Sequence, residues 1–154
     1  MKFTAREDIE APIAEVFAAL TNYDGFERAA MRRGAEVVRE THKDAPSWQV
    51  AFTYRGKQRR LSIRQVTADP PGTLRFSASA TSVEGELAVD IVELGRRRTR
   101  MTVVTEVKPR TLAARLFLQS LKLARGKVTR RYQTRVAQLA KMIEDKLRPP
   151  SSLV

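Results

Sequence analysis

Cysteine is absent from the 154 residues. Structural disulfides, thiolate nucleophiles and Cys-ligated zinc are thereby excluded. There is one histidine, His42, so no His-rich metal site can form, and imidazole catalysis would have to run through that single side chain. Acidic residues are scarce beside basic ones, with 17 Asp and Glu against 29 Lys and Arg, a formal net charge of +12. Aromatic residues make up only 6%. No uncharged apolar run approaches the length that spans a bilayer. Lys2, Arg6, Glu7 and Asp8 also bring charge in before the apolar stretch of a signal peptide can form. A soluble, cytoplasmic protein is expected.

What the chain does have is an apolar content of 42%, which is that of a globular protein rather than a disordered one. Its length suffices to bury a core without staples. Internal repeats, low-complexity segments and linkers are missing, so residues 1–148 read as a single domain with a short tail at 149–154. The basic excess permits an anionic partner, a membrane surface or nucleic acid, without choosing between them.

Residues 3–9 alternate and read as a first strand. Ala11-Pro12 opens a helix carrying Ile13, Val16, Phe17 and Leu20, because proline near the first helical position loses a hydrogen bond the helix would not have made. Asn22-Tyr23-Asp24-Gly25 breaks it, and Phe26–Arg33 reads as a second short helix closed by Gly34. Further strands are expected at 35–41, 47–55, 58–66, 73–81, 86–94 and 99–108. The clearest alternation puts Trp48, Val50, Phe52 and Tyr54 on one face. From Thr111 to Leu147 the chain reads as one helix, with a stripe through Phe117, Leu121, Ala124, Val128, Tyr132, Val136, Leu139, Ile143 and Leu147. A single helix of that length would be about 55 Å long, which predicts a bend near Gly126.

One strand, two short helices, about six strands in hairpin order and a long helix describe an α+β fold. It is a curved antiparallel sheet of about seven strands with the last helix across its concave face. Such an arrangement encloses space, and concave apolar sites are where ligands bind. The expected pocket wall is Trp48, Val50, Phe52, Tyr54, Phe76, Ala78, Leu87, Val89, Met101 and Val103, closed by Phe117 and Leu121.

The stretch Ile9-Glu10-Ala11-Pro12-Ile13-Ala14-Glu15-Val16-Phe17-Ala18-Ala19-Leu20-Thr21-Asn22-Tyr23 resembles the opening of the START-like superfamily, also called SRPBCC or Bet v 1-like. There a strand runs into an Ala-Pro pair, then a Glu-Val-Phe or Glu-Val-Trp helix, then a short break. The order of elements matches that superfamily's helix-grip fold over the full length. The resemblance implies a member of a group containing lipid carriers, plant hormone binders, polyketide aromatase/cyclases and coenzyme Q-binding proteins. Asn22-Tyr23 followed by Phe26 is similar to the quinone-binding and cyclase branches. The Gly-rich loop of the plant branch and the iron–sulfur module of the ring-hydroxylating branch are absent. Fold analogy alone assigns no chemistry.

Residues able to carry chemistry are few. His42 precedes Asp44-Ala45-Pro46, where a loop histidine is usually exposed. Tyr54 can offer its hydroxyl to a ligand or serve as an aromatic wall with a polar rim. Glu7 is in phase with Phe3, Ala5 and Ile9, where burial would raise a carboxyl's pKa, although lone carboxylates mostly face water. Asp90 is out of phase with Leu87, Val89 and Ile91 and is expected to face solvent. No paired carboxylates, Ser-His-Asp order or metal-spaced cluster is present, so no catalytic residue, metal ligand or cofactor is assigned.

Three functions remain. The first is a non-enzymatic binder or carrier of an apolar small molecule such as a lipid, quinone or polyketide-like ring. The second is a cyclase- or dehydratase-like enzyme in the same cavity, drawing on Tyr54, Glu7 or His42. The third is a basic module docking on anionic membrane, because Leu112, Leu116, Phe117, Leu118, Leu121 and Leu123 exceed one buried stripe and sit beside Arg115, Lys122 and Arg125. The same surface would also suit a homodimer contact. Nucleic acid is disfavoured, since the basic residues lack a recognisable motif or aromatic platform. The first reading is preferred.

Overall fold

In a computed structural model, which describes residues 1–42 and 45–150 except for the His42 side chain, the chain opens with β1 (Lys2–Ile9). Two short helices follow, α1 (Ile13–Leu20) and α2 (Tyr23–Arg32). Six strands come next: β2 (Glu36–His42), β3 (Ala45–Tyr54), β4 (Lys57–Asp69), β5 (Thr73–Ser79), β6 (Val83–Gly95) and β7 (Arg98–Pro109). The chain ends in α3 (Leu112–Leu123) and α4 (Arg125–Leu147). The seven strands form one antiparallel sheet in the order β1-β7-β6-β5-β4-β3-β2. Each hairpin extends the sheet by one strand from β2 to β7, and β7 then meets β1. This is the expected α+β helix-grip architecture.

Local chemistry explains the joints. Arg55 and Gly56 both have positive φ, 53° and 74°. That is the two-residue hairpin turn whose twist suits β3 and β4, and Gly56 occupies its half at no steric cost. At the β1–α1 corner Ile9 and Ala11 are fully buried. The buried Thr99 hydroxyl donates to the Ala11 carbonyl at 2.8 Å, so β7 holds the Ala-Pro corner in place. Asn22 caps α2 by accepting from the Gly25 amide, which starts that helix three residues before the expected Phe26.

The concave face of the sheet is covered unevenly. At one end Val16 and Leu20 of α1 and Val136, Ala140 and Ile143 of α4 pack on Ile9, Ile91, Met101 and Val103. Ile9, Val16, Met101 and Ile143 are all essentially inaccessible to water. There the apolar side chains contribute their full burial energy, about 1.5–3 kcal/mol each. Toward β3 and β4 the inward residues Val50, Leu61 and Ile63 are only half-buried, because no packed core closes over them.

The C-terminal helix differs from the expectation of one bent rod. It divides at Ala124, whose φ of −109° and ψ of 26° leave the helical region, two residues before the expected bend at Gly126. The inner face of α3 is set by Ala114 and Leu118. Phe117, expected on the core-facing stripe, is 50% exposed instead.

Candidate ligand cavity

A cavity of about 520 Å³ lies between the half-covered sheet and the helices, within the range of small-molecule sites. Its floor is built by alternate residues of consecutive strands: Trp48 and Val50 of β3, Leu61 and Ile63 of β4, Leu74, Phe76 and Ala78 of β5, Val83, Gly85, Leu87 and Val89 of β6, and Thr105 and Val107 of β7. The period of two puts these side chains on one face. Tyr23, Phe26, Glu27 and Ala30 of α2 also line it. Their spacing of i, i+3, i+4 and i+7 is one face of a helix. Val37 of β2, Glu84 and Glu86 of β6, Leu20 of α1 and Leu139 of α4 complete the wall.

An aromatic group forms one side. The Tyr23 ring meets Trp48 edge-on with centroids 5.0 Å apart, and meets Phe76 at 6.2 Å. Such edge contacts are worth about 0.5–1.5 kcal/mol each beyond area burial. The Trp48 indole N–H donates to Glu27 Oε2 at 2.7 Å. Arg39 of β2 donates to both oxygens of the same carboxylate, at 2.6 and 3.0 Å, and also pairs with Asp24. These donors, Arg39 first, hold the Glu27 carboxyl below the usual range, against a partial desolvation that would raise it. Glu27 therefore stays ionised and fixes the indole plane, and it is a poor proton donor.

The Tyr23 hydroxyl donates to Oε1 of the Gln65 side-chain amide. Burial pushes the Tyr23 phenol up, so it stays protonated at neutral pH. Gln65 is placed by a bulge between Gln65 and Thr67 that shifts the pairing of β4 with β5, a usual means of re-aiming a side chain. Where α4 meets the floor at Thr105, the hydroxyls of Thr105 and Tyr132 share a hydrogen bond at 2.9 Å, and Tyr132 also donates to the Val103 carbonyl at 3.2 Å. Among the described residues no side-chain polar atom is buried without a partner, and no group of three potential metal ligands occurs.

Of the residues expected to form the wall, Trp48, Val50, Phe76, Ala78, Leu87 and Val89 line the cavity. The others do not. Phe52 and Tyr54 share the face of Trp48 but lie toward the Arg55-Gly56 turn. Tyr54 is 55% exposed there, with the Arg55 guanidinium over its ring. Met101 and Val103 are consumed by the packed core under α4. Phe117 faces outward, and Leu121 is half-buried away from the cavity. Glu7 is half-buried opposite Met101 in the β1–β7 register, outside the cavity. Asp90 is half-buried and accepts from the Thr73 hydroxyl. The side chain of His42 falls outside the described residues. The α2 face was missed because a helix begun at Phe26 omits Tyr23, the first member of its stripe.

Residues 1–144 match the family described as polyketide cyclase / dehydrase and lipid transport. The chain belongs to that family. No curated protein matches the sequence. Solved structures resemble this member of the polyketide cyclase / dehydrase and lipid transport family at low identity. TTHA0849 from Thermus thermophilus is 15% identical with a TM-score of 0.70, covering 96% of this chain and all of that one. The Zhui aromatase/cyclase from Streptomyces sp. R1128 is 14% identical with a TM-score of 0.71, covering 99% of each chain. Ara h 8.0201 is 15% identical with a TM-score of 0.58, covering 96% and 97%. At such identities the likeness is one of fold. Family membership spans both carriage and cyclase-like chemistry, and leaves the choice between them to the cavity.

Proposed function

We propose that this protein binds and carries an apolar small molecule, of the lipid, quinone or polyketide-ring class, in the cavity between the sheet, α2 and α4. The observation that supports this is the lining: about 520 Å³ walled almost wholly by aliphatic and aromatic side chains, with Tyr23 and Glu27 as the polar groups of α2. Transfer of an apolar ligand there removes its surface from water at about 25 cal/mol per Å². The Tyr23 hydroxyl oxygen has a lone pair left to accept a hydrogen bond, which would orient a polar end of the ligand.

A cyclase-like reaction in the same cavity is the second reading. It is favoured by the placement of a phenol and a carboxylate on one face of α2. It is disfavoured by their engagement, since Glu27 is held ionised by Arg39 and Trp48 and Tyr23 is kept protonated by burial. General acid–base catalysis needs a group poised to exchange its proton near working pH.

Native mass spectrometry of the protein from its own host, followed by solvent extraction, tests the proposal. A stoichiometric apolar molecule, recovered unchanged after incubation, is the expected result. Trp48 is the single tryptophan and lines the cavity, so its fluorescence should respond to a panel of lipids, quinones and aromatic polyketides. An empty protein with an unmoved Trp48 signal throughout the panel overturns carriage. Chemical conversion of the extracted molecule would establish the enzyme instead.

A further inference from the structure

The α3 helix carries more apolar surface than its packing uses. Ala114 and Leu118 are its buried residues. Leu112, Leu116 and Leu123 are 71%, 58% and 91% exposed. At about 100° per residue these three leucines fall within about 40° of one another, on the side of the helix opposite Ala114 and Leu118. Arg115 and Lys122 both lie along one edge of the stripe. The break at Ala124 lets α3 take its own direction, and it packs on β7 and α4. Spanning is not its role, because no helix among the described residues is long and apolar enough to cross a membrane.

The surrounding charge is of one sign. Between Glu106 and Glu144 the sequence holds ten Lys and Arg residues and no Asp or Glu, so the charged side chains of α3, and those of α4 as far as Ile143, are all cationic. We infer that α3 docks this protein on an anionic lipid bilayer, with Leu112, Leu116 and Leu123 in the interface and Arg115 and Lys122 at headgroup level. A leucine stripe edged by basic residues is the pattern of a helix lying in the plane of a membrane, its apolar face about 5–10 Å deep. A second copy of the chain fits this face less well, because pairing would bring two cationic surfaces together with no acidic residue from Val107 to Ile143 to offset them. The inference stands on the surface alone and holds whether the cavity carries or converts its ligand.

Co-sedimentation with vesicles tests it, using phosphatidylcholine alone and phosphatidylcholine with about one third phosphatidylserine. Binding to the anionic vesicles should exceed binding to the neutral ones by at least about tenfold and weaken with salt. The double variant Leu116→Ser, Leu123→Ser should lose at least about tenfold in partitioning, since each exchange removes apolar groups from the interface. Its thermal midpoint should stay that of the parent, because both side chains are exposed in the free protein. Arg115→Gln and Lys122→Gln should each cost about fivefold. Absence of binding to the anionic vesicles overturns the inference. So does unchanged binding of the leucine double variant, which would mean undirected charge attraction. A dimer in solution that the same double variant dissolves would assign the face to a second copy and likewise overturn it.

Discussion

Ala78 and Gly85 stand opposite each other in the β5–β6 ladder, both on the inward face, and both line the cavity. Two small residues side by side leave room that a Leu or Phe at either position would take. Replacing Gly85 is the worse experiment, because a Cβ there would sit 3.1 Å from the Glu106 carbonyl oxygen. Ala78→Leu places its extra carbons in the cavity instead. Ligand affinity should fall by at least about tenfold, while stability changes by less than about 1.5 kcal/mol because open space, not packed core, receives the side chain. Titration of Trp48 fluorescence alongside a denaturant melt reads both quantities. Undiminished affinity would place the ligand elsewhere. At this scale the sequence was informative about faces and poor about positions along them. Trp48, Val50, Phe52 and Tyr54 do share a phase, yet the cavity stops at Val50, because nothing in an alternating pattern says where the roof of the sheet ends. Glu27 was illegible for another reason: its role depends on Arg39 and Trp48, which only the folded chain brings to it.

Among the elements, the β1–β7 pair shows a charge holding two strands at the sheet edge. Asp8 on β1 accepts from Arg100 and Arg98 at 2.9 Å each. Arg100 first and Arg98 second hold its carboxyl at about 2, against an ordinary 3.8. A carboxyl depressed in the folded state binds its proton more readily when the chain unfolds. Its stabilising contribution is therefore complete above the ordinary 3.8 and is lost as pH falls through about 2. The effect is small, since water screens an exposed pair. Thermal melts of the parent and Asp8→Asn should differ at about pH 5 and converge as pH falls toward the folded value. A gap that stays constant with pH would show that the carboxylate charge is not what joins the strands. Element order and number were readable from alternation and turns, and so was the β1–α1 corner at Ala11-Pro12. The break between α3 and α4 was readable only as a necessity of length. Its place at Ala124 rather than Gly126 separates α3, which packs on β7, from α4, which packs on β1, and no propensity encodes those partners.

Across the whole molecule the charge is unbalanced, and it acts in opposite directions on folding and on association. A net charge of +12 repels itself in the compact state. At about 0.01 M salt the Debye length of about 30 Å lets that repulsion reach across the molecule, and at about 0.15 M it shrinks to about 8 Å. Among the described residues the salt bridges are few and largely at the surface, so salt screens more repulsion than attraction. The thermal midpoint should therefore rise by a few degrees over that range, each kcal/mol being worth about 2–4 °C for a chain of this size. Partition onto anionic vesicles should fall over the same range, because the docking inferred for α3 draws on the same charge that strains the free protein. Paired measurements across one salt series separate the two effects. A midpoint that falls with salt would mean that the ion pairs, Asp8 and Glu27 among them, outweigh the excess of like charge.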